Sequence, residues 1–260
     1  MAKHRRVWNQ EKFKAYIKAG RGQGEGQAYV PWIAIQDFSS KGISSRVFSY
    51  KTNRVHHFLS RNELSFFYLL EWSENVLDIR EQFPLLDIEM AIDLAESAGI
   101  RYPRDSRSGF PYILTCDFMV TTKHGSKART IKNSLDLKNK RILEKLEIER
   151  RYWDALGIDW RIVTEHEIDF RKARNIEWLY TAAILPKCIA DARYREAILE
   201  QIEITSLQEA AVWFDERYGL PAGSGLYLIK HLIWHREVAL EIGMGHENSR
   251  QAVGDTYDQR

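Results

Sequence analysis

Three charged residues stand where the surrounding sequence is apolar: Glu63, Asp117 and Lys132. Glu63 falls on the apolar side of a predicted helix, Asp117 interrupts a hydrophobic strand pattern, and Lys132 ends a short strand that follows. Two carboxylates and an ammonium in one apolar neighbourhood are costly unless they bind something charged. A divalent cation and a phosphodiester would satisfy all three groups, so the pattern favours metal-assisted phosphodiester hydrolysis.

That chemistry requires an activated water, positive charge near the phosphate oxygens, and stabilisation of the leaving oxygen. The carboxylates of Glu63 and Asp117 are the hard ligands that Mg²⁺ prefers, and the main-chain carbonyl of Ile131 would add another. We expect Mn²⁺ to substitute for Mg²⁺. A lysine such as Lys132 can orient the water and screen the phosphate. Thr130 shares a strand face with Lys132 and completes the candidate catalytic set.

Each charged residue also has a purely structural interpretation. Ser60 and Glu63 have the spacing of a capping box, in which the acid bonds the Ser60 amide. Asp117 would suit a strand end bonded to a turn, and Lys132 an edge strand protected against aggregation. The order helix acid, strand acid and strand lysine favours the catalytic interpretation of the set.

Other polar patterns are weaker candidates for a site. His231 and His235 have the spacing of two metal ligands, but no Glu follows the first, as a hydrolytic zinc helix requires. A surface or packing role is therefore favoured. His56 and His57 alternate across a predicted strand, so at most one faces the site. Residues 20–26 carry glycines at every second position, which matches neither a phosphate loop nor a dinucleotide fingerprint and predicts a flexible, extended loop.

Composition indicates an intracellular globular protein. The 260 residues are 44% hydrophobic and 28% charged, enough for one large domain or two ordinary ones. No apolar run approaches the length of a membrane span, and two cysteines form neither a disulfide framework nor a zinc knuckle. The net charge is only +2, but Lys and Arg outnumber Asp and Glu in residues 1–18 and 121–151, a local excess that can attract polyanions.

The hydrophobic pattern predicts an α/β domain. Helices are expected over residues 12–19, 60–72, 136–156 and around 175–180. Strands are expected over residues 29–36, 46–50, 55–59, 112–120, 129–132 and 160–164. This order is typical of a mixed sheet flanked by helices.

Beyond Pro186 the pattern becomes mostly helical, over residues 191–204, 206–218 and 226–235. The last two helices and the apolar stretch 237–242 resemble a helix-turn-helix with a wing. We therefore predict three regions: a catalytic domain over residues 1–184, a helical, winged-helix-like domain over 185–243, and a polar, disordered tail over 244–260.

These residues resemble a known nuclease fold. Glu63 in a helix, Asp117 in a strand and the segment Thr130-Ile-Lys132 look like the restriction-endonuclease-like fold. A longer and more specific resemblance, over about residues 18–182, is to the TnsA family. It rests on the segments 20–26 (GRGQGEG), 29–32 (YVPW), 54–57 (RVHH), 78–85 (DIREQFPL), 143–147 (LEKLE), 149–153 (ERRYW) and 175–180 (NIEWLY).

TnsA proteins are the endonuclease subunits of heteromeric, Tn-seven-like bacterial transposases. The resemblance implies a cytoplasmic, Mg²⁺-dependent endonuclease that cuts the 5′ strands at transposon ends. A TnsB-like transposase of the DDE class would cut and join the 3′ strands, and a TnsC-like AAA+ regulator would contact the C-terminal region. It also places the family's helix acid at Glu63, its strand acid at Asp117 and its lysine at Lys132. Thr130 stands where family members often have Gln or Glu.

The residues alone are also compatible with two other functions. The chain would also suit a non-catalytic DNA-binding or adaptor protein, in which residues 206–242 read DNA and the acids are structural. The second alternative is a stand-alone repair or junction nuclease of the same fold.

Overall fold

A computed structural model describes residues 7–37 and 44–239. The chain divides into two compact units, Met1–Ile168 and Asp169–Arg260. The division lies before the helix that contains residues 175–180, whereas the sequence placed a boundary after residue 184. This helix groups with the C-terminal helices because it packs on them, as in the edge-to-face contact of Tyr180 with Trp234. The tail predicted over residues 244–260 lies outside the described residues.

The first unit is a mixed α/β unit. Its helices are α1 (Gln10–Lys18), α2 (Arg61–Trp72), α3 (Ile88–Ser97) and α4 (Lys140–Ala155). Its strands are β1 (Ser45–Ser49), β2 (Arg54–Phe58), β3 (Val76–Pro84), β4 (Thr115–Thr122), β5 (Gly125–Ile131) and β6 (Asp159–Val163). Strands β1 and β2 form a separate hairpin, while β3–β4–β5–β6 form one sheet, antiparallel except for the parallel pair β5–β6. The predicted mixed sheet flanked by helices is confirmed.

Two clusters of apolar side chains pack against this sheet. On one side α3 and α4 pack against β4 and β5, and the core there includes Ala91, Ala95, Cys116, Met119, Ala128, Ile148 and Trp153. Cys116 is fully buried there. A second cluster joins β2, α2 and β4, with ring centroids 4.7 Å apart for Phe58–Phe67 and 6.0 Å for Phe58–Phe118. Burial of each such side chain stabilises the fold by about 1.5–3 kcal/mol, and this packing fixes the start of α2 near β4.

The glycine-rich segment is a loop with a different backbone from the extended one predicted. Gly20, Gly22, Gly24 and Gly26 all have positive φ. A Cβ on Gly22 would lie 2.3 Å from Pro84 Cγ, so glycine permits this close approach of the loop to β3.

The strand predicted over residues 29–36 is wrong. Only Val30 makes isolated bridges, to Arg21 and Gln23, and a 3₁₀ turn covers Ile35–Asp37. Arg21 donates hydrogen bonds to the Trp32 carbonyl and to Asp37, which folds the segment back on the loop. Tertiary contacts of one arginine therefore override the local strand pattern.

Two elements were not predicted, and one predicted helix is divided. Strand β3 was missed because Asp78, Arg80 and Glu81 break its apolar alternation, and helix α3 follows it directly. The helix expected over residues 136–156 is a 3₁₀ turn, Ser134–Lys138, followed by α4. The Asn139 side chain accepts hydrogen bonds from the amides of Arg141 and Ile142, which starts a new helix there.

The second unit is helical in its described part. Its helices are α5 (Phe170–Tyr180), α6 (Ala192–Ile204), α7 (Leu207–Tyr218) and α8 (Ser224–Trp234). A capping box of Ser206 and Glu209 begins α7, and Gly219, at φ 60°, ends it. The wing expected over residues 237–242 has no strand through residue 239, and its last three residues lie outside the described range. No helix in the described ranges is long and apolar enough to cross a lipid bilayer.

His231 and His235 have a packing role, as favoured from the sequence. His231 Nδ1 donates to the Ala182 carbonyl at 2.9 Å, and His235 Nε2 donates to the Ala183 carbonyl at 3.1 Å. Both rings therefore bind main-chain carbonyls just after α5, where a helix leaves such groups without intrahelical partners.

Candidate active site

Asp117 lies in the interior of β4, bonded to the strands on both sides. Its Oδ2 accepts hydrogen bonds from the amide of Ile131 at 2.6 Å and from Lys132 Nζ at 3.1 Å. Its Oδ1 accepts one from Gln82 Nε2 at 3.2 Å. The residue is 8% exposed. The interpretation as a strand-end acid bonded to a turn is therefore wrong.

Lys132 follows β5 directly, and its amide still donates to the Val163 carbonyl of β6. Its Nζ also contacts the Ile131 carbonyl oxygen, at 2.8 Å. Burial lowers the pKa of Lys132, but the charges of Asp117 and Glu149 outweigh this and raise the pKa above its ordinary value. The side chain is therefore a cation at neutral pH. Because β5 lies between β4 and β6, the edge-strand interpretation of Lys132 is wrong.

Glu63 lies in the first turn of α2 and is 7% exposed. Its amide donates to Ser60 Oγ, while its carboxylate accepts hydrogen bonds from the Leu59 amide and from Ser60 Oγ, both at 2.9 Å. The acid thus reaches the Leu59 amide instead of the Ser60 amide of a capping box. Burial and the Asp117 charge raise the pKa of Glu63 to about 7. The structure brings the Glu63 and Asp117 carboxylates close enough to repel each other.

Thr130 is fully buried in β5. Its hydroxyl donates to Glu149 Oε2 at 2.7 Å and accepts a hydrogen bond from Trp160 Nε1 at 3.1 Å. Burial raises the pKa of Glu149 to about 7, although the nearby Lys132 charge and the Thr130 hydrogen bond lower it. Thr130 therefore supports a buried acid of α4.

Glu149 was not singled out from the sequence. It appeared only inside the family segment 149–153, yet a signal was available. Leu146, Tyr152 and Trp153, at three and four residues' distance, are buried on the same face of α4. An acid on the apolar face of a helix is the same pattern that identified Glu63.

The donor atoms suit a hard cation. Within residues 7–37 and 44–239 no group of three or more His, Cys, Asp and Glu is arranged to hold a metal ion. The available oxygens are the carboxylates of Glu63 and Asp117 and the carbonyl of Ile131. Mg²⁺ commonly binds through one or two carboxylates together with waters and substrate phosphates. Burial and the Asp117 charge both disfavour an ionised Glu63, and a cation would offset both, so these residues fit the ion.

His56 and His57 serve the fold and not this site. His56 Nδ1 lies 2.8 Å from Glu81 Oε2, and its Nε2 lies 2.7 Å from Thr52 Oγ1. His57 Nδ1 accepts a hydrogen bond from the Ile35 amide. Burial raises the pKa of Glu81, but the contacts with His56 and Arg54 outweigh it and lower the pKa to about 2. This buried ion cluster joins the β1–β2 hairpin to β3.

Comparison with known proteins agrees with the resemblance in the sequence. A family model described as "TnsA-like endonuclease N terminal" matches residues 73–165, and one described as "TnsA endonuclease C terminal" matches residues 167–242. The chain is also 39% identical over 238 residues to the transposon Tn7 transposition protein TnsA of Escherichia coli, across 89% of this chain and 86% of that protein. The chain belongs to the TnsA family. The junction between the two TnsA models lies beside the structural division after Ile168.

Proposed function

We propose that this TnsA-family endonuclease is Mg²⁺-dependent and hydrolyses the 5′ strands at transposon ends, with Mn²⁺ as a substitute. One observation carries the proposal. A buried strand carboxylate, Asp117, is bonded both to the Ile131 amide and to Lys132 Nζ, and its charge adds to burial in raising the pKa of Glu63. This is the combination of oxygen donors and cation that phosphodiester hydrolysis needs.

In this proposal Glu63, Asp117 and the Ile131 carbonyl would hold the ion. When bound, Mg²⁺ supplies positive charge that favours a hydroxide nucleophile and stabilises the leaving 3′ oxygen. Lys132, held as an ammonium by Asp117 and Glu149, screens the phosphate oxygens and orients the attacking water as a hydrogen-bond donor.

Thr130 has an indirect role in the proposal. Its hydroxyl is occupied by Glu149 and by the Trp160 indole. The negative charge of Glu149 is one of the causes of the raised pKa of Lys132. Thr130 thus acts on the catalytic lysine through the acid that it bonds.

The partners proposed are transposon-end DNA, a TnsB-like DDE transposase and, through the C-terminal unit, a TnsC-like AAA+ regulator, in the bacterial cytoplasm. Support comes from the likeness to a Tn7 transposition protein and from the match of residues 167–242 to the C-terminal family model. On α4, Arg141 and Arg150 pair with Glu144 and Glu147, which offsets part of the positive charge of that region. Exposed lysines of the same region, such as Lys123, are then proposed to contribute to the attraction of DNA phosphates.

Asp117→Ala tests the proposed reaction. With transposon-end DNA, the partner transposase and Mg²⁺, the variant should lose 5′-strand nicking by about 1,000-fold or more, because it loses a ligand and the contact that holds Lys132. Circular dichroism and complex assembly should match wild type. Asp136→Ala, which removes an exposed acid, is the matched control and should cut normally. Full cleavage by Asp117→Ala would reject the site.

Two further outcomes separate this proposal from its alternatives. Titration calorimetry with Mg²⁺ or Mn²⁺ should show binding to wild type and much weaker binding to Glu63→Gln, whereas an adaptor protein would show none with either. Cleavage of transposon ends should require the TnsB-like partner. Efficient cutting of branched or damaged DNA by the chain alone would indicate a stand-alone nuclease.

A further inference from the structure

Gln82 combines an unfavourable backbone with a buried polar side chain. It lies inside β3, is 3% exposed, and has φ of 49°. The other described non-glycine residues with positive φ are Asn53 and Arg236, which lie outside strands. A left-handed conformation costs a residue with a Cβ about 1–2 kcal/mol, and such strain persists where the surroundings enforce it.

The contacts around Gln82 enforce its left-handed backbone conformation. Its carbonyl accepts a hydrogen bond from the Trp32 amide, and the carbonyl of Glu81 accepts one from Tyr29 Oη at 3.0 Å. The Glu81 carboxylate is held by Arg54 at 2.5 and 2.9 Å. The ladder between β3 and β4 pairs Glu81 with Phe118 and Phe83 with Cys116, so the left-handed residue lies opposite Asp117.

The Gln82 side chain reaches the proposed metal ligand. Its Nε2 donates to Asp117 Oδ1 at 3.2 Å, while its Oε1 accepts from Thr115 Oγ1 at 3.3 Å. The Thr115 hydroxyl therefore fixes which end of the amide faces Asp117. Since Asp117 Oδ2 already accepts from Ile131 and Lys132, the carboxylate is held at both oxygens from the strands on either side.

We infer that Gln82 is a positioning residue that orients the Asp117 carboxylate for a divalent cation. Each carboxylate oxygen has about two acceptor positions. Both positions of Oδ2 are used, and Gln82 takes one position of Oδ1, which leaves a single acceptor position on Asp117 for an ion. This inference rests on the proposed metal-dependent function, and it assigns to Gln82 no contact with the ion or DNA.

Calorimetry with Mn²⁺ and Mg²⁺ alone tests the inference. Gln82→Met removes the donor at similar length, and Gln82→Gly removes it while relieving the left-handed strain, so that folding is retained. The two Gln82 variants should bind Mn²⁺ and Mg²⁺ about 10- to 100-fold more weakly than wild type does. This is the usual loss when a group that orients a metal ligand is removed. Gln23→Met is the control, since its amide donates to the Ile17 carbonyl, and its affinity should equal that of wild type.

A second pair of measurements excludes a purely structural effect. Thr115→Val keeps Gln82 but frees its amide, and should weaken ion binding several-fold with an unchanged melting temperature. In the complete transposase reaction, Gln82→Met should lower kcat and leave the KM for DNA unchanged. Wild-type affinity in folded Gln82→Met, Gln82→Gly and Thr115→Val would overturn the inference and leave the proposed function standing. Absence of ion binding by wild type would overturn both.

Discussion

The Lys132 ammonium lies 3.1 Å from Asp117 Oδ2 and donates to the neighbouring Ile131 carbonyl. Both oxygens belong to residues proposed to bind the divalent ion. In the metal-free protein the lysine therefore acts as a tethered cation that neutralises the oxygens. An ion that binds Asp117 Oδ1 and the Ile131 carbonyl would share that carbonyl with the Lys132 ammonium or displace it, so the lysine would oppose ion binding while serving the proposed reaction.

Lys132→Ala should separate these two effects. Cleavage should fall by about 100-fold or more, because a group that orients the water and screens the phosphate is lost. Affinity for Mg²⁺ or Mn²⁺ should equal or exceed that of wild type, because a competing cation is gone. Calorimetry and strand-nicking assays measure the two quantities. Lys123→Ala, which removes an exposed lysine in the β4–β5 turn, is the control for ion binding and should leave the affinity for either ion unchanged. Undiminished turnover in Lys132→Ala would remove the residue from the mechanism.

The raised pKa of Glu63 predicts how stability depends on pH. In the folded, metal-free protein the pKa is about 7, against an ordinary value of 4.5, so the folded state binds more protons than the unfolded state between these pH values. The contribution of Glu63 to stability is then most favourable below about pH 4.5 and declines as the pH rises through 7.

Glu63→Gln should therefore stabilise the metal-free protein more at pH 8 than at pH 5, by about 1–3 kcal/mol. Chemical denaturation in EDTA at the two pH values measures the difference. Saturating Mg²⁺ should remove the loss of wild-type stability between pH 5 and pH 8 that Glu63 causes, since a bound cation favours the ionised acid. The same stability increment at both pH values would contradict the raised pKa.

Thr130→Val should show that the hydroxyl supports Glu149. The substitution keeps the shape but removes a hydrogen-bond donor from a buried acid and an acceptor from the Trp160 indole. Leaving such groups unsatisfied should lower the free energy of unfolding by about 1–3 kcal/mol. Thr130→Ser, which retains the hydroxyl, should lose less. Urea denaturation provides the measurement, and equal stability of the valine and serine variants would argue against this role.

The glycine-rich loop offers a matched pair of substitutions. Gly20 and Gly22 have nearly equal φ, 74° and 71°, but an added Cβ meets nothing within 4 Å at Gly20 and lies 2.3 Å from Pro84 at Gly22. Gly20→Ala should cost about 1–2 kcal/mol from the backbone alone. Gly22→Ala should cost distinctly more, because the loop must move away from β3. Thermal denaturation would detect the difference. Similar melting temperatures of the two variants would mean that the loop can move away from β3 at little cost in free energy.

Local patterns predicted much of the first unit. Ser60 and Glu63 located the start of α2, and the apolar alternation around Asp117 located β4. Each of these signals spans only a few neighbouring residues, so it can be recognised from the sequence alone. The predicted fold class and family followed from the same segments.

The parts that were missed depend on distant partners. Strand β3 tolerates the buried charge of Glu81 because Arg54 neutralises it, 27 residues away. The contact of Gln82 with Asp117 requires a left-handed residue within a strand, which side-chain periodicity does not indicate. The boundary expected near residue 184 differed from the structural division because Pro186 is a local signal, whereas α5 groups by its packing.

Residue 131 contributes to the site through its peptide groups. The Ile131 amide binds Asp117, and its carbonyl faces the Lys132 ammonium, while the isoleucine side chain is an ordinary buried apolar group. Exchange among Ile, Val and Leu preserves both peptide groups. Saturation mutagenesis would therefore score this position as permissive for aliphatic residues, although its peptide groups lie at the centre of the proposed chemistry.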